Sequence, residues 1–194
     1  EFTLQSATSI AERFGRDLNH ISRVSSVALE IYDKMKKLHG YKLRERTLLQ
    51  VSAILQDIGK YVNVKNHELL SYNTITNLDI VGINDHERLI IATVCYYHNG
   101  NIPSMDSPIY NQLSQEDRVM VSKLAAILQI SNAINTSHSP KFEQVNVNMK
   151  NGKLNIYLTT LKNINLEKWA FIAKSKLFRE VYGLNATIIK RGVL

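Results

Sequence analysis

The sequence predicts a mainly α chain, with an all-helical domain over residues 1–139 followed by a small α+β (ββαβ) subdomain over residues 140–194. Three observations carry this. Apolar residues recur every three or four positions in several runs between Leu18 and Asn135, the period drops to two just past Pro140, and Asn151-Gly152 sits between two alternating runs. Side chains repeat about every 3.6 residues on a helix and every two on a strand, so the change of period marks a change of structure.

From Asp17 to Leu38, the residues Leu18, Ile21, Val24, Ala28, Ile31, Met35 and Leu38 form one face of a long helix closed by Gly40. A second helix is expected from Arg44 to Ile58, with Leu48, Val51, Leu55 and Ile58 inward and Gly59 ending it. His67 to Asn77 reads as a shorter helix. Asn84 followed by Glu87 has the spacing of a capping box and opens another helix that reaches about His98, after which Gly100 and Pro103 force a loop. Ser114 with Asp117 starts the next long helix, whose inward face is Val121, Leu124, Ala125, Leu128, Asn132 and Asn135. Buried amides are costly unless paired, so Asn132 and Asn135 must either meet polar partners or line a cavity.

Beyond Pro140, Val145, Val147 and Met149 alternate, then Leu154, Ile156 and Leu158, around a turn dipeptide suited to type I′ geometry. A helix from Leu166 to Tyr182 is expected to bury Trp169, Ile172, Ala173 and Val181 and to stop at Gly183. A last strand runs from Ala186 to Lys190.

With 194 residues, 44% of them hydrophobic, the chain is long enough to bury a real core. The single thiol, Cys95, cannot form an internal disulfide, and no apolar run approaches the roughly 20 residues that cross a bilayer. These features predict a soluble, cytoplasmic protein with no membrane partner. Glu1-Phe2-Thr3-Leu4 has neither an initiator methionine nor a signal-peptide pattern, which suggests a piece of a longer protein.

The formal net charge of +7 is unevenly placed. Nine basic and five acidic side chains fall in residues 12–46, five and eight in 47–140, and ten and three in 141–194. Two basic flanks around an acidic middle suit a polyanionic partner, though they equally suit a solvated basic surface. No Lys/Arg run exceeds two residues and no basic recognition face is interleaved with aromatics, so nucleic acid is disfavoured. The eight glycines are never closer than nine residues apart, which excludes a phosphate-cradling loop or a dinucleotide fingerprint. Cys95 lies in an apolar helical stretch and reads as an inert core thiol. No residue is assigned a catalytic role.

What remains is Ile54-Leu55-Gln56-Asp57-Ile58-Gly59-Lys60, taken with His20, His67, His98 and Asn132. His20 on the first long helix and Asp57 on the second resemble the HD superfamily, whose helical phosphohydrolases hold divalent ions with a histidine, a His-Asp pair and a later aspartate. More narrowly, the order of His20, Val24 and Ala28, then Ala53 to Gly59, His67, Ser71-Tyr72, Ile91-Ala92, Tyr97-His98, Lys123 to Leu128, Asn132 to Ile134 and Leu177 to Gly183 resembles the C-terminal region of the Ppx/GppA family of exopolyphosphatases and guanosine pentaphosphate phosphohydrolases. The resemblance implies a degenerate HD site at His20, Gln56, Asp57 and Asn132, with neutral amides at two of the four ligand positions. Amides are poor metal ligands beside imidazole or carboxylate.

The resemblance also implies that phosphoryl chemistry belongs to an N-terminal actin-like domain absent from this sequence. This region would then serve as a non-catalytic module for polyphosphate binding and homodimer formation. Lys34, Lys36, Lys37, Lys42, Arg44, Arg46 and Lys60 are the candidate contacts for polyphosphate or guanosine phosphates. No cofactor is expected on that reading. The alternative is a metal-dependent HD-type phosphohydrolase in which His20, Asp57, His67 and His98 hold Mg²⁺ or Mn²⁺.

Overall fold

The fold is seen in a computed structural model that describes residues 1–192. It opens on a helix the periodicity did not signal, α1 (Phe2–Arg13). Its buried positions are Ala7, Ile10 and Ala11, and two alanines make a faint apolar stripe. The next helix, α2 (Leu18–Lys34), is capped by the Asp17 carboxylate, which accepts hydrogen bonds from the Asn19 and His20 amides.

Three helices expected to be continuous or longer are interrupted. Met35 leaves helical geometry, and Lys36–His39 forms a separate turn, α3, closed by Gly40 in the left-handed region. The reason is His39, whose ring folds back to donate from Nε2 to the Tyr32 carbonyl at 2.9 Å. Likewise α4 (Leu43–Leu55) ends three residues before Ile58, and Ile58–Tyr61 winds as a tighter 3-10 turn. Gly59 is therefore not a left-handed stop. It is the point where this turn meets α5 (His67–Ile75): a Cβ there would lie 2.3 Å from the His67 carbonyl oxygen and 2.5 Å from the Ser71 nitrogen.

The capping signals hold. Asn84 accepts from the Glu87 amide at 2.9 Å while Glu87 reaches back to the Asn84 amide, opening α6 (Asp85–Tyr97). After a short helix that had no sequence signal, α7 (Pro108–Asn111), the Ser114 hydroxyl caps α8 (Gln115–Ile134). This long helix is the buried axis of the molecule, with α2, α4 and α6 packed along it.

The hairpin also forms as expected. Strand β1 (Gln144–Lys150) pairs antiparallel with β2 (Lys153–Thr159), with Asn151 and Gly152 both at positive φ. The chain then crosses over to place β3 (Asn185–Arg191) parallel to β2, giving the sheet order β1-β2-β3. Val147, Leu154, Ile156 and Leu158 point into a core that is continuous with the helical one, although Met149 is exposed.

The crossover is two helices, not one: α9 (Asn165–Lys174) and α10 (Lys176–Tyr182), broken at the buried Ser175. Here the expected facing is wrong. Trp169 and Ile172 are 77% and 70% exposed, Ala173 is exposed and Val181 is only half-buried. Glu167 sets the rotation. Its carboxylate is fully buried, accepting from the Ser137 hydroxyl at 2.6 Å and pairing with Lys141 at 3.1 Å. With Glu167 and Phe171 turned inward one helical turn apart, Trp169 must face out. The Tyr182 hydroxyl, donating to the Lys123 carbonyl at 2.9 Å, fastens α10 to α8.

Candidate functional site

The sequence-predicted histidines and aspartate gather at the C-terminal end of α4 and the 3-10 turn. Asp57 sits at the junction of these two elements, and Gly59 lets the turn come against the start of α5, which carries His67. His98 caps the C-terminal end of α6. Ligand atoms of Asp57, His67 and His98 all lie within 4.8 Å of one another. His98 Nε2 is 3.2 Å and His67 Nε2 3.5 Å from Asp57 Oδ1, and Lys60 Nζ lies 3.0 Å from the same oxygen.

Burial alone raises the Asp57 pKa, but His98 and Lys60 outweigh it and hold the carboxyl well below the usual carboxylate range. The Asp57 charge is therefore permanent at neutral pH. His20 lines the cleft but is not one of the three, and its ring lies 4.8 Å from that of His138, tilted by 36°. Burial pushes the His20 pKa down, with His138 and Arg23 adding to the effect and Asp57 opposing it.

The two amides at the degenerate positions bind each other. Gln56 Nε2 donates to Asn132 Oδ1 at 3.0 Å, and Asn132 Nδ2 donates to Gln56 Oε1 at 2.8 Å and to the Leu128 carbonyl at 3.0 Å. This answers the question raised by polar residues on the inward face of α8. Asn132 pairs across to α4, and Asn135 donates within its own helix to the Ser131 carbonyl.

Two adjoining clefts, about 140 and 220 Å³, share His20, Asp57, Lys60 and His138. The first also takes in Lys174, from the last turn of α9, and the second Arg16. At roughly 30 Å³ per water the smaller cleft has room for on the order of five waters. Burial lowers the Lys174 pKa, with Lys60 adding to that and Asp57 opposing it. Sequence reasoning missed Lys174, because nothing local marks a lysine 117 residues beyond Asp57 as its neighbour. A larger cleft of about 320 Å³ between α2 and β1 holds Arg23, Glu30 and Glu143 but no histidine, so it does not share this chemistry.

The other candidate polyanion contacts lie elsewhere and are partly occupied. Arg46 forks onto Asp33 at 2.9 and 3.0 Å, with Lys36 at 3.8 Å from the same carboxylate. Arg44 is bound to Glu87 and to the Gly82 carbonyl. Lys34, Lys37 and Lys42 are exposed, without ion pairs among the described residues. Only Lys60 reaches the cleft. No described helix is long and apolar enough to cross a membrane. Residues 4–177 match the family model of the Ppx/GppA phosphatase, domain III.

Proposed function

The chain belongs to the Ppx/GppA phosphatase domain III family, and from that premise we propose that it is a non-catalytic module that binds polyphosphate or guanosine phosphates for a phosphoanhydride hydrolase. Its catalytic partner would be an N-terminal actin-like domain, and its assembly a homodimer. The observation that carries the binding role is the cleft itself, where Lys60, Lys174, His20 and His138 surround one carboxylate. Two lysine ammonium groups on one concave wall raise the local concentration of anions, and the two imidazoles add hydrogen-bonding edges beside them. The mutual pairing of Gln56 and Asn132 supports the non-catalytic half, since it uses up the side chains at two of the positions where an HD enzyme places ligands.

Polyphosphate binding to the chelator-treated chain tests this by calorimetry across a salt series. Affinity should fall as salt rises, because screening weakens charge contacts, and Lys174→Met should weaken it about tenfold, the effect of one charge-assisted contact. Salt-independent affinity, or a Lys174→Met protein that binds as wild type does, would remove the cleft from the account.

A second reading has support of its own. The convergence of Asp57, His67 and His98 suits a metal-dependent HD-type phosphohydrolase acting on nucleotide or polyphosphate. Phosphate release by the isolated chain that stops on chelation and in His67→Gln would favour that reading over the first.

A further inference from the structure

The cleft between α2 and β1, about 320 Å³, shares no lining residue with the two clefts around Asp57. Its volume falls within the roughly 300–1,000 Å³ of small-molecule sites. Val27, Val145 and the Phe142 ring give it an apolar wall, and Val27 is buried. Around that wall stand three charged side chains, Arg23, Glu30 and Glu143. None of the three makes an ion pair among the described residues, although Arg23 and Glu30 are half-buried. Charges drawn partly out of water are costly to leave unpaired, so a cleft that gathers three of them suits a ligand bringing the opposite charges.

Arg23 is already held in place. Its Nη2 donates to the His138 carbonyl at 2.6 Å, which occupies one of five guanidinium donors and leaves the rest for a carboxylate. Glu30 lies seven residues on, two turns along the same face of α2, so roughly 10 Å of helix separates the cation from this anion. Arg23 and Phe142 also line one small void together, which places the neighbouring Glu143 at the Arg23 end of the cleft.

We propose that this cleft binds a basic α-amino acid with an aliphatic stem, the lysine class. The ligand carboxylate pairs with Arg23, its α-ammonium with Glu143 and its side-chain ammonium with Glu30, while the methylene stem lies along Val27, Phe142 and Val145. One positive and two negative side chains thus meet one negative and two positive ligand groups. A phosphate or a dicarboxylate would face two like charges here, so this site selects against the anions that suit the cleft around Lys60 and Lys174. It holds whether or not that other cleft binds phosphate.

Calorimetric titration of the chain with L-lysine tests this, and one equivalent is expected to bind. Norleucine, which lacks the side-chain ammonium, and cadaverine, which lacks the carboxylate, should each bind at least about tenfold more weakly, the loss of one hydrogen bond between charged groups. Glu30→Gln should weaken lysine by a similar factor without weakening norleucine, and Arg23→Gln should weaken lysine without weakening cadaverine. Glu180→Gln, on α10, should leave lysine affinity unchanged. In case Arg23→Gln does not fold, methyl chemical shifts of the wild-type chain give a second measurement: those of Val27 and Val145 move on adding lysine, and those of Ile54 and Val64, beside Asp57, do not. Absence of saturable lysine binding at millimolar concentration would overturn the proposal. So would norleucine or cadaverine binding as tightly as lysine, wild-type affinity in Glu30→Gln, or shifts confined to Ile54 and Val64.

Discussion

Substituting Gly59 by alanine tests whether the site is built on close backbone contact. The new Cβ would sit 2.3 Å from the His67 carbonyl oxygen, 2.5 Å from the Ser71 nitrogen and 2.9 Å from the Leu70 Cβ, where real Cβ contacts essentially never fall below 3.0 Å. The 3-10 turn and α5 must therefore part by about 0.7 Å, backbone against backbone, with no flexible side chain to absorb the change. Overpacking of this kind costs about 1–3 kcal/mol. Separation also strains the buried hydrogen bond from the Gly59 amide to the Ser71 hydroxyl, now 2.9 Å, worth about 1 kcal/mol. A total of about 2–4 kcal/mol corresponds to a fall in Tm of about 4–16 °C for a domain of this size. Urea and thermal unfolding followed by circular dichroism would measure it. Gly40→Ala is the control: it stands at φ +71 with nothing within 4 Å, so only the left-handed backbone penalty of about 1–2 kcal/mol applies. If Gly59→Ala cost less than Gly40→Ala, the close-approach argument would be wrong.

Three further outcomes are expected. Gln56→Leu or Asn132→Leu alone strands a buried amide and should cost about 1–3 kcal/mol, while the double variant should cost less than the sum, as a double-mutant cycle of urea midpoints would reveal. Arg44 holds the Glu87 carboxyl below its ordinary pKa, so the unfolded chain takes up that proton first as pH falls. The stabilisation is complete above roughly pH 4.3, the unfolded value, and is lost below it; Arg44→Met should therefore flatten the acid limb of stability against pH. Trp169→Glu, on the exposed face of α9, should leave thermal stability near wild type but shift the association equilibrium toward monomer in sedimentation velocity, if that apolar face with Leu166 and Ile172 joins two copies.

Local signals were the legible ones. Asn84 with Glu87, Ser114 with Asp117, and Asn151-Gly152 each specify a start or a turn within four residues, and each forms as read. The helix break at Met35 was not legible, because His39 folds back onto the Tyr32 carbonyl rather than acting through propensity, and nothing local marks Ser175 as the junction of α9 and α10. The same applies to the burial of α9: Trp169 is the more hydrophobic residue, yet a buried carboxylate with two partners decides which face turns in. At the site, Asp57, His67 and His98 were readable as one candidate group, and the place of His20 outside it was not. The bond between Gln56 and Asn132 spans 76 positions, so each residue alone showed only a missing ligand and not the pair that replaces it.

The order in which the cleft's walls leave the ribosome follows from their places in the chain. His20, Asp57, His98 and His138 are made first, and Lys174 comes 36 residues after the last of these. At about 5–20 residues per second that is a wait of roughly 2–7 s, during which β2 still lacks its partner β3 and α8 lacks the cover of α9 and α10. A product cut short in that interval has a folded-looking helical half but neither the second lysine nor a finished sheet, with Leu154, Ile156 and Leu158 open to solvent. The second lysine of the cleft and the covered face of the sheet would then be completed within the same stretch of synthesis, between Lys174 and Arg191.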